Sequence, residues 1–254
     1  MKLSVIVILN FNPPFDSFYK LWTQLGDYSA KKHPNIQIIL TTNHDNIELN
    51  TCQKHVMPSG HAVYTTPDDK YRLISEIKEN YTSALIVKTW NAIEFALQQD
   101  EKPDFILRTN ACSIWNWEKF LKKIETFPKT GVYSGIVGNY GGLPFVSGAG
   151  ILFSADVASK LIQLPHTISV IDDVYIAQLL KKIGINAQNR GCTRKDYIHG
   201  LIQPEQEQKL AQLLTNFYHI RFHEIGSSLE QRLKKDVLEY KTVLDFWYSE
   251  QDKK

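Results

Sequence analysis

Apolar and polar residues form alternating blocks along the first part of the chain. Two short apolar segments, 3–9 and 35–43, end in polar residues, as is typical of strands buried in a parallel sheet. Between them, apolar residues recur at helical spacing from Asp16 to Lys32, and Asp16 or Ser17 is a suitable N-cap. The pattern predicts a strand, a helix and a parallel strand, joined in the usual right-handed sense.

A longer helical periodicity occupies the middle of the chain. After a polar, less regular stretch at 44–69, the spacing over residues 71–99 predicts two helices with a break near Asn80, because apolar residues recur every three or four positions. Residues 105–110 then predict a strand with a polar end, and residues 113–126 predict another helix.

The alternation of strands and helices continues into the last third of the chain. Two strands are predicted around the glycine-rich turn Gly138–Gly142, followed by helices at Ala155–Leu164 and Asp172–Lys182. This order predicts an α/β fold with an open, mainly parallel sheet, helices on both faces, and ligands at the carboxyl ends of the strands. Beyond Gly200 the pattern is mainly helical and ends in a charged amphipathic segment at 229–247.

Composition narrows the class of protein without changing this picture. The chain has 254 residues, 43% of them hydrophobic and 22% charged, so one globular domain is expected. A net charge of +2 is too small an excess for a nucleic-acid partner. The apolar run Leu3–Leu9 is too short to cross a bilayer, and the three cysteines form no CxxC pair. We therefore expect a soluble, cytoplasmic protein without a transmembrane segment.

Four segments in a fixed order resemble one family of enzymes. They are SALIVKTWNAIEFAL, DFILRTNACSIWN, PFVSGAGILFSADVASKL and VIDDVYIAQLLKKIGI, and they span about residues 81–185. Their order resembles glycosyltransferases of the beta-1,3-galactosyltransferase and Fringe type and related viral and bacterial sugar transferases. The resemblance implies a GT-A (Rossmann-like) fold with a mixed, mostly parallel sheet and a C-terminal helical segment.

The resemblance also implies an activity and a division of the chain. The activity is inverting transfer of a sugar from a nucleotide-diphosphate sugar, with UDP-sugar favoured, to a glycan or another hydroxyl acceptor. Within a single domain, residues 1–110 would form the nucleotide-binding half and residues 111–200 the donor-sugar and acceptor half. Residues 201–254 would form the helical segment.

Two adjacent carboxylates, Asp172 and Asp173, are the strongest catalytic candidates. An inverting transferase needs a carboxylate to take the proton from the acceptor hydroxyl as it attacks, and Asp173 matches the position of this base in the resembling family. Asp172 is then expected to bind the acceptor or to act as an electrostatic neighbour. The alternative is that both aspartates only favour the start of a helix, where exposed N–H groups attract negative charge.

A segment of small residues is the second candidate for ligand contact. Ser147 and Gly148 lie where small side chains let the backbone approach a sugar closely and leave N–H groups available as donors. The resembling segment of the family lies beside the donor sugar and the acceptor. The alternative is a bulge or a tight turn with a folding role only.

The segment Arg108-Thr109-Asn110 stands where the family has an acidic DxD-type motif that holds a divalent metal against the donor diphosphate. The segment has no carboxylate, the ligand that Mg²⁺ or Mn²⁺ prefers. We therefore predict no metal ligands in the protein, and no required cofactor, although Mn²⁺ or Mg²⁺ stays possible. Arg108 is predicted to stabilise the leaving diphosphate, and Thr109 and Asn110 to bind nucleotide or sugar hydroxyls. The alternative for Arg108 is a surface salt bridge at a strand edge.

Three further residues are candidates for binding the donor. Lys88 matches a family lysine beside the donor site, and its alternative is an ordinary solvated helix lysine. His219 and Arg221 place two donors on one side of an extended strand, as expected of a diphosphate clamp. A helical arrangement would instead bring His219 and His223 one turn apart as a possible metal pair.

Aromatic residues add support for a carbohydrate partner, because sugars present apolar faces that stack on rings. Trp115, Trp117 and Tyr140 flank the predicted cleft in sequence.

Two other functions compete with transfer. A catalytically silent nucleotide-sugar or carbohydrate-binding protein of the same fold would explain the missing acidic motif. A nucleotidyltransferase is disfavoured, because it should carry a glycine-rich, basic loop after the first strand, and residues 10–14 contain neither a glycine nor a positive charge.

Overall fold

The computed structural model describes residues 1–9, 16–43, 48–77, 83–165, 171–196, 206–222 and 229–248. In chain order, the strands and helices within these residues are β1 Leu3–Ile8, α1 Asp16–Lys32, β2 Ile36–Asn43, β3 Gln53–Val56, β4 Ala62–Thr66, β5 Asp69–Ser75, α2 Ser83–Gln98, β6 Phe105–Asn110, β7 Ser113–Trp115, α3 Trp117–Ile124, β8 Tyr133–Tyr140, β9 Leu143–Ser154, α4 Ala155–Ile162, α5 Asp172–Lys182, β10 Lys195–Asp196, α6 Glu207–Asn216, β11 His219–Arg221 and α7 Leu229–Tyr248.

Eight strands form one mixed sheet in the order β3-β4-β5-β2-β1-β6-β9-β8. The four central strands β5, β2, β1 and β6 run parallel to one another. The strands on both flanks pair in antiparallel fashion. Every residue of β1 is buried, as expected of a strand at the centre of a covered sheet. The predicted α/β fold with a large mixed sheet is confirmed.

Helices α2, α4 and α5 share one hydrophobic core with this sheet. Its buried side chains include Ile6 and Ile106 from the sheet, Trp90 and Ile93 from α2, and Ile176 from α5. Burial of such a set is the main source of stability in a domain of this size.

The sequence pattern predicts a helix in two places where the structure has a strand. Residues 69–75 form β5, not a helix, because Leu40 to Asn43 of β2 offer a parallel partner for Arg72 to Ser75. Residues 113–115 form β7, which pairs with β11, and the helix begins only at Trp117, where the Asn116 side chain accepts the Lys119 N–H at 3.1 Å. The predicted break near Asn80 lies outside the described residues.

The chain divides into two compact units. The first comprises 1–11, 34–110 and 128–192, and the second comprises 12–33, 111–127 and 193–254. The first unit contains the eight-stranded sheet with α2, α4 and α5. The predicted single domain with three successive parts stays a prediction.

The second unit contains a three-stranded sheet in the order β10-β11-β7, and α1, α3, α6 and α7. Its core is aromatic: Trp22 and Trp117 are fully buried with ring centroids 6.4 Å apart, and Tyr240 lies 6.2 Å from Trp22. The Trp22 indole N–H donates to the carbonyl of Ala111 at 2.9 Å, which satisfies the one polar group of a buried tryptophan.

Within the part of the chain that the structure describes, no helix is both long and apolar enough to span a membrane.

Candidate active site at the carboxyl end of the sheet

Polar residues end the central parallel strands of the first unit. Ile8 of β1 pairs with Thr41 on one side and with Asn110 on the other, and Asn43 pairs with Ser75. Thr41, Asn43 and Ser75 are all buried, although polar side chains at such depth are uncommon. The carboxyl edge of a parallel sheet is where α/β proteins bind ligands. Sequence analysis placed Thr41 to Asn43 at the polar end of a strand but did not select them as candidate site residues, although a polar triplet that closes a buried strand was the available signal.

Arg108 is the centre of the candidate site. Its side chain is almost fully buried, with 1% exposure, at the fourth position of β6. The guanidinium donates to the Asn110 side chain at 2.7 Å and to the Gly148 carbonyl. Its other terminal nitrogen lies 2.5 Å from an oxygen of Asp172. The alternative of a surface salt bridge for Arg108 is wrong, because both side chains of this ion pair, one from β6 and one from α5, are buried.

Asp173 belongs to the same hydrogen-bond network, but backbone N–H groups rather than a guanidinium bind its carboxylate. One carboxylate oxygen accepts the Gly148 N–H at 2.8 Å, and the other accepts the Val174 N–H at 2.8 Å. Burial raises the pKa of the Asp173 carboxyl, and the charge of Asp172 raises it further, against the lowering effects of the Gly148 N–H and of Arg108. Desolvation and a like charge both favour the protonated form, so this carboxyl holds a proton more readily than an ordinary aspartate.

The two aspartates therefore have separate roles in the structure. Both lie in the first turn of α5, as predicted, but Ile171 is the N-cap residue and no side chain caps this helix. Asp172 is buried and paired with Arg108, whereas Asp173 is half-buried and accepts hydrogen bonds from the backbone N–H groups of Gly148 and Val174. Helix capping alone does not account for this arrangement.

Gly148 lacks a side chain, and this lets Arg108 and Asp173 pack against its backbone. A Cβ atom at this position would lie 2.7 Å from a terminal nitrogen of Arg108 and 3.3 Å from an oxygen of Asp173. Ser147 next to it is partly exposed. The absence of a side chain at Gly148 is thus explained by the packing of Arg108 and Asp173 against it, and the predicted contact of this backbone with a sugar stays a prediction.

Two of the predicted donor-binding residues are occupied by protein contacts. The Thr109 hydroxyl is buried and donates to the Ala149 carbonyl at 2.7 Å, which ties β6 to β9. The Lys88 ammonium is fully buried and donates to the Leu9 carbonyl at 2.8 Å. The alternative of a solvated helix lysine is therefore wrong, and Lys88 fixes the backbone directly after β1.

His219 and Arg221 belong to β11 in the second unit. His219 is 3% exposed, stacks on Trp115 with ring centroids 3.7 Å apart, and its Nε2 has no hydrogen-bond partner within the described residues. Burial, with the charges of Arg194 and Arg221, lowers the pKa of His219 well below its usual value. The imidazole is therefore neutral at pH 7. A strand, rather than a helix, carries this histidine, and His223 lies outside the described residues.

The three aromatic candidates differ in their solvent exposure. Trp115 and Trp117 are buried in the second unit, at 3% and 0% exposure, so they are core residues rather than sugar platforms. Tyr140, at the end of β8 in the first unit, is 51% exposed.

Among the described residues, no group of three or more His, Cys, Asp or Glu side chains is arranged to hold a metal ion. Asp172 and Asp173 are the carboxylates of the candidate site, and Arg108 already neutralises one of them. The prediction that the donor binds without a divalent metal stays a prediction.

The fold and the site define an α/β protein with a buried arginine and a carboxylate pair at the carboxyl edge of its sheet. No family model and no curated protein matches the chain. Among solved structures it is similar to the apo-form glycosyltransferase GlyE of Streptococcus pneumoniae TIGR4, with 12% identity and a TM-score of 0.44. The match covers 99% of this chain and 64% of the length of that one. Support for a particular function therefore comes from the side chains of the site.

Proposed function

We propose that the chain is an inverting glycosyltransferase of the GT-A type. It would move a sugar from a nucleotide-diphosphate sugar, with UDP-sugar favoured, to a hydroxyl of a carbohydrate acceptor. The observation that carries this proposal is Asp173: a half-buried carboxylate with a raised pKa, held at the start of α5 beside a buried ion pair.

The chemistry needs a base in this place. The acceptor oxygen forms a bond to the anomeric carbon of the donor while the bond from that carbon to the diphosphate breaks, and the nucleoside diphosphate leaves with the electron pair. The proton of the acceptor hydroxyl passes to a carboxylate oxygen of Asp173. A base is most effective when its pKa is raised toward the working pH, and burial provides this at Asp173.

In this proposal Arg108 is a positioning residue. Its guanidinium binds Asp172, Asn110 and Gly148, so it positions Asp172 directly, and Asp173 through Gly148, rather than meeting the leaving diphosphate. A buried arginine with fixed partners holds the Asp172 carboxylate in place. The charged neighbour then raises the pKa of Asp173.

A second candidate function is a catalytically silent nucleotide-sugar or carbohydrate-binding protein. The observation that favours it is the Arg108–Asp172 pair itself, because a buried ion pair stands where the resembling family holds its metal. The two functions differ in whether Asp173 takes part in turnover.

The test compares Asp173→Asn with two other aspartate variants. Asp173→Asn should lower turnover by about 10²- to 10⁴-fold, the usual effect of losing a general base, with UDP affinity nearly unchanged by calorimetry. Asp172→Asn should be milder in turnover but should lower the melting temperature more, because it leaves Arg108 buried without its counterion.

Asp156→Asn is the matched control, since Asp156 also lies in the first turn of a helix and accepts a backbone N–H, from Gly131 at 3.1 Å. In the wild type, the rate should rise with pH through a pKa above the ordinary aspartate value, because the base must lose its proton. Full turnover of Asp173→Asn with a normal melting temperature would assign the base to another residue.

A further inference from the structure

A cavity of about 630 Å³ lies between helices α2 and α4 of the first unit. Its walls come from the last turns of α2, from α4 and from the turn between β3 and β4. Helix α4 begins directly after Ser154, which pairs with Phe105, the first residue of β6. The cavity therefore lies by the amino end of β6, whereas Arg108 and Gly148 of the candidate active site lie toward its carboxyl end. Its volume is in the usual range of small-molecule sites.

Glu94 of α2 lines this cavity with a carboxylate that has no counter-charge. The residue is 4% exposed, and its Oε2 accepts the Ser59 hydroxyl at 2.5 Å. Within the part of the chain that the structure describes, Glu94 makes no further hydrogen bond and no ion pair, not even with Lys102 of the same cavity. Glutamate is almost never buried this deeply unless it is paired, because an uncompensated buried charge is costly. A cationic ligand in the cavity would supply the counter-charge.

The second carboxylate of the cavity is already bound by the protein. Asp156 accepts the Gly131 N–H at 3.1 Å and the Ser154 hydroxyl at 2.6 Å, and the Lys160 ammonium lies 3.6 Å from its other oxygen. Asp156 therefore has its partners within the protein, and Glu94 is the carboxylate of the cavity that is available to a ligand.

The kind of cation follows from the rest of the wall. A hard metal ion takes six or more oxygen ligands, and Glu94 with Ser59 offers far fewer. Among the residues that the structure describes, no cluster of three or more His, Cys, Asp or Glu side chains could hold a metal. Apolar side chains from both helices and from the turn form much of the remaining wall: Pro58, Leu97, Ala155 and Ile162. An organic cation with an aliphatic chain matches both the carboxylate and these side chains.

We propose that this cavity binds an aliphatic amine in its protonated, ammonium form. An ammonium group has three N–H donors: one would bind Glu94 Oε1 and another Ser59 Oγ, which keeps acceptor lone pairs while it donates to Glu94. The alkyl chain would pack against Leu97 and Ile162 and lose its contact with water. The inference is independent of the proposed function, because it uses none of the residues assigned to sugar transfer.

The experiment measures, by calorimetry at pH 7, how tightly the full chain binds n-butylamine, n-hexylamine and the alcohols of the same length. Wild type should bind each amine about 10-fold more tightly than the matching alcohol, because only the amine makes a charge-assisted hydrogen bond with Glu94. Hexylamine should bind about 3- to 15-fold more tightly than butylamine, since two more methylene groups are buried.

Two acidic residues of the same cavity provide the variant and its control. Glu94→Gln keeps the shape of the side chain and should weaken amine binding about 10- to 100-fold, with alcohol binding unchanged. Asp156→Asn should bind the amines as wild type does, because the protein already occupies that carboxylate. Equal amine binding by Glu94→Gln and wild type overturns the site. So does an amine that binds wild type no more tightly than its alcohol, a comparison that holds even if Glu94→Gln does not fold.

A further probe separates two sources of the same ammonium group, a free amine and the lysine side chain of a peptide. Nα-acetyl-lysine methylamide carries a butylammonium group on a peptide backbone. Binding as tight as that of butylamine supports the site with a peptide lysine as its ligand, and weaker binding supports it with a free amine. None of these measurements requires a sugar donor, so their outcome is separate from that of the transfer assay.

Discussion

At the scale of single residues, the candidate site depends on how two neighbouring aspartates are made different. Asp172 is paired with the buried Arg108, while Asp173 accepts two backbone N–H groups and has a raised pKa. Sequence motifs were sufficient to select both aspartates. They did not show that Arg108 turns inward to pair with Asp172, because that pairing joins residues 64 positions apart and depends on the sheet that brings β6 beside β9.

The Arg108–Asp172 pair gives a prediction about stability. Arg108→Met and Asp172→Leu should each lower the free energy of unfolding by about 3–5 kcal/mol at neutral pH, because each leaves one buried charge unpaired. The double variant should be more stable than either single one, since neither charge of this pair is then left buried without its partner. Urea denaturation of the four proteins measures the cycle, and costs that simply add would show that the two side chains do not depend on each other.

The pKa of Asp173 fixes the sign of a further effect on stability. A carboxyl whose pKa is raised in the folded state binds its proton more tightly there than in the unfolded chain. Its contribution is therefore lost as pH rises from the unfolded pKa through the raised folded one. In the proposed transferase, this loss of stability accompanies the raised pKa that suits Asp173 to act as the base.

At the scale of elements, the sequence pattern located those helices that have clear ends. The helix α1, Asp16–Lys32, and the helix α5, Asp172–Lys182, have the predicted bounds, because polar residues and a proline mark their limits. Strands β5 and β7 were missed. Their short apolar runs also fit helical spacing, and only pairing with β2 and β11 selects the extended form.

Gly148 in β9 gives a prediction at this scale. Gly148→Ala should reduce turnover by about 10²-fold, because the new methyl group would displace the Arg108 guanidinium and the Asp173 carboxylate from their present contacts, and small displacements of catalytic groups are costly. The matched control is Gly184→Ala, after the other end of α5, where the added Cβ meets nothing within 4 Å but the backbone φ of +78° is strained.

Both glycine variants should melt at lower temperature than wild type, and only Gly148→Ala should lose activity. Equal activity in Gly148→Ala and Gly184→Ala would remove the Gly148 segment from the site.

At the scale of the whole molecule, periodicity was sufficient to predict an α/β protein with a large sheet covered by helices, and it predicted that sheet as mainly parallel. It was not sufficient to predict the antiparallel flanks of that sheet or the division into two compact units. Those features depend on which distant strands pair with each other. The apolar residues of a long hairpin strand also fit the pattern of a buried parallel strand, so the pattern does not give the direction of the strand. The same limit applies to His219, which is buried against Trp115 and whose pKa is lowered by that burial and by the charges of Arg194 and Arg221.

The central claim, inverting sugar transfer with Asp173 as base, is tested most directly by the anomeric configuration of the product. The chain is incubated in EDTA with UDP-α-linked glucose, galactose, N-acetylglucosamine or N-acetylgalactosamine and an oligosaccharide acceptor, and the new linkage is identified by NMR. We predict a β-linked product, because a base on the acceptor side directs attack opposite the leaving diphosphate. A product that appears only with Mn²⁺ would contradict metal-free transfer. An α-linked product would contradict inversion, and the absence of any product with or without Mn²⁺ would favour the silent binding protein.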